Sequence, residues 1–81
     1  MKKELIELVE KRKKLWEKTH NIMLDDELRN STVEYLYRKE NKDILLSLSD
    51  YPETVIELFF TIIDKNSMTV PFFLNEAQRT L

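Results

Sequence analysis

Asp50-Tyr51-Pro52-Glu53-Thr54-Val55-Ile56-Glu57-Leu58-Phe59-Phe60-Thr61-Ile62-Ile63-Asp64-Lys65 is the stretch whose reading decides the fold. It opens on the clearest helix-start signal in the chain: Asp50 as cap, Pro52 in the first turn and Glu53 three residues after the cap. Proline suits a first turn because the N–H it lacks would have no intrahelical partner, and Glu53 completes a capping box. From Pro52 to about Lys65 run Val55, Ile56, Leu58, Phe59, Phe60, Ile62 and Ile63, which cover most of a helical circumference. A helix apolar on most sides belongs at the centre of a core. Phe59 and Phe60 are expected inside it, each fully buried ring contributing roughly 1.5–3 kcal/mol. On that reading Phe59→Ala or Ile62→Ala removes several kcal/mol and nearly unfolds the chain.

Upstream, residues 2–20 read as one amphipathic helix. Leu8, Leu15 and Ile22 recur every seven residues, as do Val9, Trp16 and Met23, with Leu5 and Ile6 extending the stripe. Glu7 with Lys11 and Glu10 with Lys14 are i,i+4 pairs in the favourable order. Arg12 and Thr19 fall on the seam, which argues for packing within a bundle over a coiled coil and makes Trp16 a core anchor. His20 and Asn21 mark the helix end. The Glu17-x-x-His20 spacing occurs in bundle metal sites, but a single copy is not a site. A second helix is expected from Asp25-Asp26-Glu27, running through or restarting at the Ser31-x-x-Glu34 capping box. Tyr35 and Tyr37 cannot share one helical face, so one phenol belongs at the surface. Asn41 to Leu48 forms a short helix with Ile44, Leu45 and Leu48 inward; Asp64 to Ser67 is a polar turn, and Met68 to Phe73 is extended. The expected fold is all-α, a small bundle of three to four helices with an extended C-terminal segment. Its expected division is a helical domain over 1–66 and a following segment over 67–81.

Composition sets the outer limits. The chain has 81 residues, 42% of them hydrophobic and 35% charged, which suits one small folded domain and not a disordered chain. Typical per-residue values imply a stability of about 4–12 kcal/mol. There is no cysteine, hence no disulfide and no thiolate metal site. There is also no glycine, where ordinary usage gives about six. That excludes glycine-rich phosphate loops within these residues and disfavours tight hairpin turns. No apolar run is long enough to span a bilayer, and Met1 leads into a charged amphipathic segment, so a cytoplasmic setting without a secretory leader is expected. The net charge of −2 hides an asymmetry: residues 1–18 carry seven Lys/Arg and four Glu, and the remainder six Lys/Arg and eleven Asp/Glu. The basic excess at Lys11, Arg12, Lys13, Lys14 and Lys18 reads either as a solvated helix face or as a contact for phosphates.

The last residues carry the most specific pattern. In Val70-Pro71-Phe72-Phe73-Leu74-Asn75-Glu76-Ala77-Gln78, Pro71 holds Val70 extended, and Asn75 with Gln78 reads as a capping box opening a helix. With Leu81 only three residues further on, either the protein ends on a frayed turn or this is the front of a longer chain. A helix started by Tyr51-Pro52-Glu53, a polar turn, then Val-Pro-Phe-x-Leu-Asn-x-Ala-Gln resembles the N-terminal region of tailed-phage terminase large subunits, the motors of DNA packaging. The resemblance covers about residues 50–81 and matches at Pro71, Phe72, Asn75 and Gln78. It implies that Gln78 contacts the adenine of ATP, supported by Phe72 and Asn75, upstream of a Walker A loop. A glutamine amide both donates and accepts, as the adenine N6 and N7 edge requires.

The resemblance also implies what these residues lack. Without glycine there is no Walker A loop, and no nucleophile–base–orienter arrangement is visible, so the chain alone is expected to be neither an enzyme nor a cofactor binder. ATP and Mg would belong to a longer parent. Expected partners are a downstream domain, the small terminase subunit or the portal, with DNA through the basic run, no membrane, and homo-oligomers open. A second reading is a complete small helical protein that binds another protein through the Phe72/Phe73 end or the first helix's stripe.

Overall fold

A computed structural model describes residues 3–73. Four helices, α1 (Lys3–Thr19), α2 (Ile22–Leu36), α3 (Lys42–Ser47) and α4 (Pro52–Phe59), precede an antiparallel hairpin of β1 (Thr61–Ile63) and β2 (Thr69–Pro71). Short 3-10 turns at Lys39–Asn41 and Leu48–Asp50 lead into and out of α3. The small helical bundle with an extended C-terminal segment is therefore the architecture found. No helix among the described residues is long and apolar enough to cross a membrane.

The α1–α2 connection is two residues long and is built without glycine. His20 takes the left-handed conformation (φ 47°), its N–H donating to the Trp16 carbonyl at 2.8 Å. Histidine is among the non-glycine residues that visit this region most readily. Asn21 is then the N-cap of α2: its backbone is extended, and its side-chain oxygen accepts from the Met23 and Leu24 N–H groups at 2.9 and 3.4 Å. The second helix thus begins three residues before the acidic run and passes through Ser31 without restarting. It ends where the Tyr35 carbonyl accepts from the Asn41 side-chain amide at 2.7 Å and from the Arg38 N–H at 3.3 Å. Tyr37 is the exposed phenol and Tyr35 the half-buried one, as their spacing requires.

The core lies between the helices. Leu5, Val9, Leu36, Ile44, Leu48 and Leu58 are buried, with Leu8, Tyr35, Leu45, Tyr51, Val55 and Phe59 packed around them. Trp16 is half-buried, its ring 5.4 Å from that of His20 at a 53° tilt, on the side of α1 facing the hairpin. It is not a core anchor.

The stretch 52–65 departs most from expectation. Tyr51, not Asp50, holds the cap position of α4, Asp50 being spent in the preceding 3-10 turn; Pro52 is the first helical residue. The helix stops at Phe59, Phe60 turns extended (φ −84°, ψ 148°), and Thr61–Ile63 pairs with Thr69–Pro71. Phe60, Ile62 and Ile63 are therefore 53, 43 and 72% exposed, not core residues, and Ile62→Ala loses its expected large effect. A run of aromatic and β-branched residues satisfies a strand as well as a helix, and tertiary contacts decide between them. The hairpin loop also manages without glycine. Ser67 sits at φ 61°, held by its N–H to the Asp64 carbonyl at 3.0 Å, while Asp64 Oδ1 accepts from the Asn66 and Met68 N–H groups. The expected division between 66 and 67 falls inside this loop, with β2 paired to β1 across it.

Candidate functional site around Arg12 and the exit of the chain

Residues 5, 9 and 12 share one face of α1, and that face is buried. Leu5 and Val9 meet apolar neighbours; Arg12, 1% exposed, meets Asp25 of α2, also 1% exposed. The guanidinium donates through Nε to Asp25 Oδ1 at 2.8 Å and through Nη2 to Asp25 Oδ2 at 3.0 Å, a fork-to-fork pair. Its remaining donors reach the end of α4: Nη1 to the Glu57 carbonyl at 3.0 Å and Nη2 to the Phe60 carbonyl at 2.9 Å. Helices leave their last carbonyls without intrahelical partners, and glycine-based caps usually satisfy them. Here a side chain from another helix does so, which gives a physical reason for α4 to stop at Phe59.

Further charges surround this pair. Arg29 Nε stands 3.1 Å from Asp25 Oδ2, and its Nη2 reaches Asp26 Oδ1 at 3.1 Å. Lys13 Nζ lies 3.3 Å from the carboxylate of Glu57, whose side chain is 3% exposed. The ring of Phe73 closes the cluster, its centroid 5.4 Å from Arg12 Cζ and 5.8 Å from Lys13 Nζ, within cation–π range. Pro71 is buried, and the Phe72 N–H donates to the Phe60 carbonyl at 3.0 Å. The cluster thus ties α1, α2 and the end of α4 to the point where the chain leaves β2.

Burying an ion pair costs desolvation that its attraction only partly repays, so such a pair is poor evidence of net stability. What it does supply is register: Arg12 finds Asp25 and both carbonyls in one arrangement of α1 against α2 and α4.

The residues singled out in the sequence divide sharply. Arg12 faces inward and Lys13 is drawn toward Glu57, so neither presents a free cation to a phosphate backbone. Lys11, Lys14 and Lys18 are exposed, at i, i+3 and i+7 on one face of α1. Phe72 and Phe73 are half-buried and do cover the bundle. Asn75 and Gln78 lie outside the described residues. His20 is exposed beside Trp16, and among the described residues no group of three or more His, Asp or Glu side chains is placed to hold a metal ion. The acidic run begins within the first turn of α2, three residues after its start, and Asp25 points into the core against Arg12.

Sequence reasoning missed Asp25, Glu57 and Phe73 as parts of one cluster. A signal was present, since Arg12 continues the Leu5–Val9 stripe, and a cation on a buried stripe demands a buried acid. Asp25 continues the buried face of Thr32 and Leu36 in the same way. Compared with protein-family models, with curated proteins and with solved structures, the chain matches none.

Proposed function

We propose that the chain is the N-terminal helical module of a tailed-phage terminase large subunit, positioning the packaging motor in the host cytoplasm. The observation that carries this reading is the string Val70-Pro71-Phe72-Phe73-Leu74-Asn75-Glu76-Ala77-Gln78 following a Pro-started helix and a polar turn. The placement of Phe73 against Arg12 and Lys13 and the burial of Pro71 support it, since these residues belong to the matched string. In this reading Gln78 contacts adenine, while ATP hydrolysis and Mg binding belong to residues beyond these 81. The module itself contacts the small subunit, the portal, a neighbouring motor subunit or, through Lys11, Lys14 and Lys18, DNA.

Extending the reading frame past Leu81 tests the proposal. A Gly-x-x-x-x-Gly-Lys-Ser/Thr loop should follow, and in the extended protein Gln78→Ala should erode the preference for ATP over GTP. A frame that continues without such a loop contradicts it. For DNA, three phosphate contacts give a log–log salt slope of about −2.7, lost when Lys11, Lys14 and Lys18 are neutralised.

A second reading, a small protein-binding module, is favoured by the apolar hairpin residues Phe60, Ile62, Ile63 and Met68, all substantially exposed. Apolar residues grouped in this way are characteristic of docking surfaces. A frame that stops at Leu81 shifts the weight to this reading.

A further inference from the structure

We infer that the β1–β2 hairpin is a hinged arm, held against the helices by Arg12, with the Phe73 ring as its catch. Only Phe60 separates the end of α4 from β1, so one residue's backbone sets the arm's angle. The arm has little intrinsic stability, since each strand is three residues long and a two-stranded hairpin is marginal in water by itself. Much of its apolar surface faces solvent instead of the core: Phe60, Ile63 and Met68 are more than half exposed. β2 packs against α2, and the specific attachments at the base of the arm are local. They include the Arg12 Nη2 bond to the Phe60 carbonyl, the buried Pro71, and the Phe73 ring against Arg12 and Lys13.

The same cluster makes release inexpensive relative to unfolding. When Phe73 lifts, Arg12 keeps both bonds to Asp25 and its bond to the Glu57 carbonyl. No buried charge is stranded, and water takes up the exposed guanidinium face. Opening is then a local event below the global unfolding free energy. Because the chain continues directly from Phe73, anything that engages the following residues, or the hairpin's apolar surface, shifts the catch. This inference does not depend on the packaging-motor reading.

Amide hydrogen exchange on the 81-residue chain tests it. The Phe72 N–H, bonded to the Phe60 carbonyl, reports the arm; the Tyr37 N–H, bonded to the Val33 carbonyl, reports the helices. In Phe73→Ala the Phe72 amide should exchange about tenfold faster, while Tyr37 stays within about threefold of the parent. Phe73→Tyr, which keeps the ring, should behave as the parent. An unchanged Phe72 amide in Phe73→Ala overturns the catch. Equal acceleration of Phe72 and Tyr37 overturns the arm, because hairpin and helices would then open as one unit.

Discussion

Leu5, Leu36 and Leu58 are sealed between the helices, whereas Phe60, Ile63 and Met68 of the hairpin are more than half exposed. Both regions are rich in large apolar residues, yet only one gains from burying them. The helices are held by non-directional burial, spread over many side chains. The hairpin packs β2 against α2 and adds directional contacts concentrated on Arg12: a bond to the Phe60 carbonyl and the Phe73 ring 5.4 Å from the guanidinium. Apolar content is therefore a poor guide to where stability resides in this chain. A region tied down by a few specific contacts can be released by losing one of them, while a distributed core fails only as a whole.

The comparison can be broken at either end. Among apolar substitutions the largest effect is expected for Leu58→Ala, which opens a cavity at a residue 2% exposed and should cost about 2–5 kcal/mol in a denaturant titration, most or all of the fold's stability. A midpoint matching the parent would remove Leu58 from the core. Next comes Asn21→Ala, which deprives α2 of its cap and should cost about 1 kcal/mol, read by thermal or urea unfolding. If no loss appears, the start of α2 at Ile22 is not secured by that side chain. The smallest effect belongs to Ile63→Thr. It replaces a side chain 72% exposed with another β-branched one and should leave stability within about 0.5 kcal/mol. A loss comparable with Leu58→Ala would show that the hairpin is core after all.

Much of the helical part was legible because periodicity records burial directly. The ends of α1, the run of α3, and the start of α4 at Pro52 follow from stripes and punctuation in the sequence. The boundary at Phe59 was not legible. Phe59-Phe60-Thr61-Ile62-Ile63 satisfies a helical wheel and a strand about equally, and the deciding partner is Arg12, some 45 residues upstream in sequence. The absence of glycine misled in the same way. Left-handed positions exist at His20 and Ser67, made tolerable by local hydrogen bonds that composition does not reveal. Arg12 itself was misassigned for a related reason. Flanked by Lys11, Lys13 and Lys14, it reads as one of four surface cations, and only its spacing from Leu5 and Val9 separates it from them.

That separation is also the most direct test of the account. Arg12→Met and Lys14→Met remove the same charge from the same helix, two residues apart. Arg12→Met leaves Asp25 in the core with only its 3.1 Å ion pair to Arg29 and removes the guanidinium bonds to the Glu57 and Phe60 carbonyls; it should cost about 3–5 kcal/mol in urea unfolding, complete loss of folding being the extreme of that result. Lys14→Met, at an exposed position, should stay within about 0.5 kcal/mol of the parent. Equal, small effects from the two substitutions would contradict the central place given to Arg12.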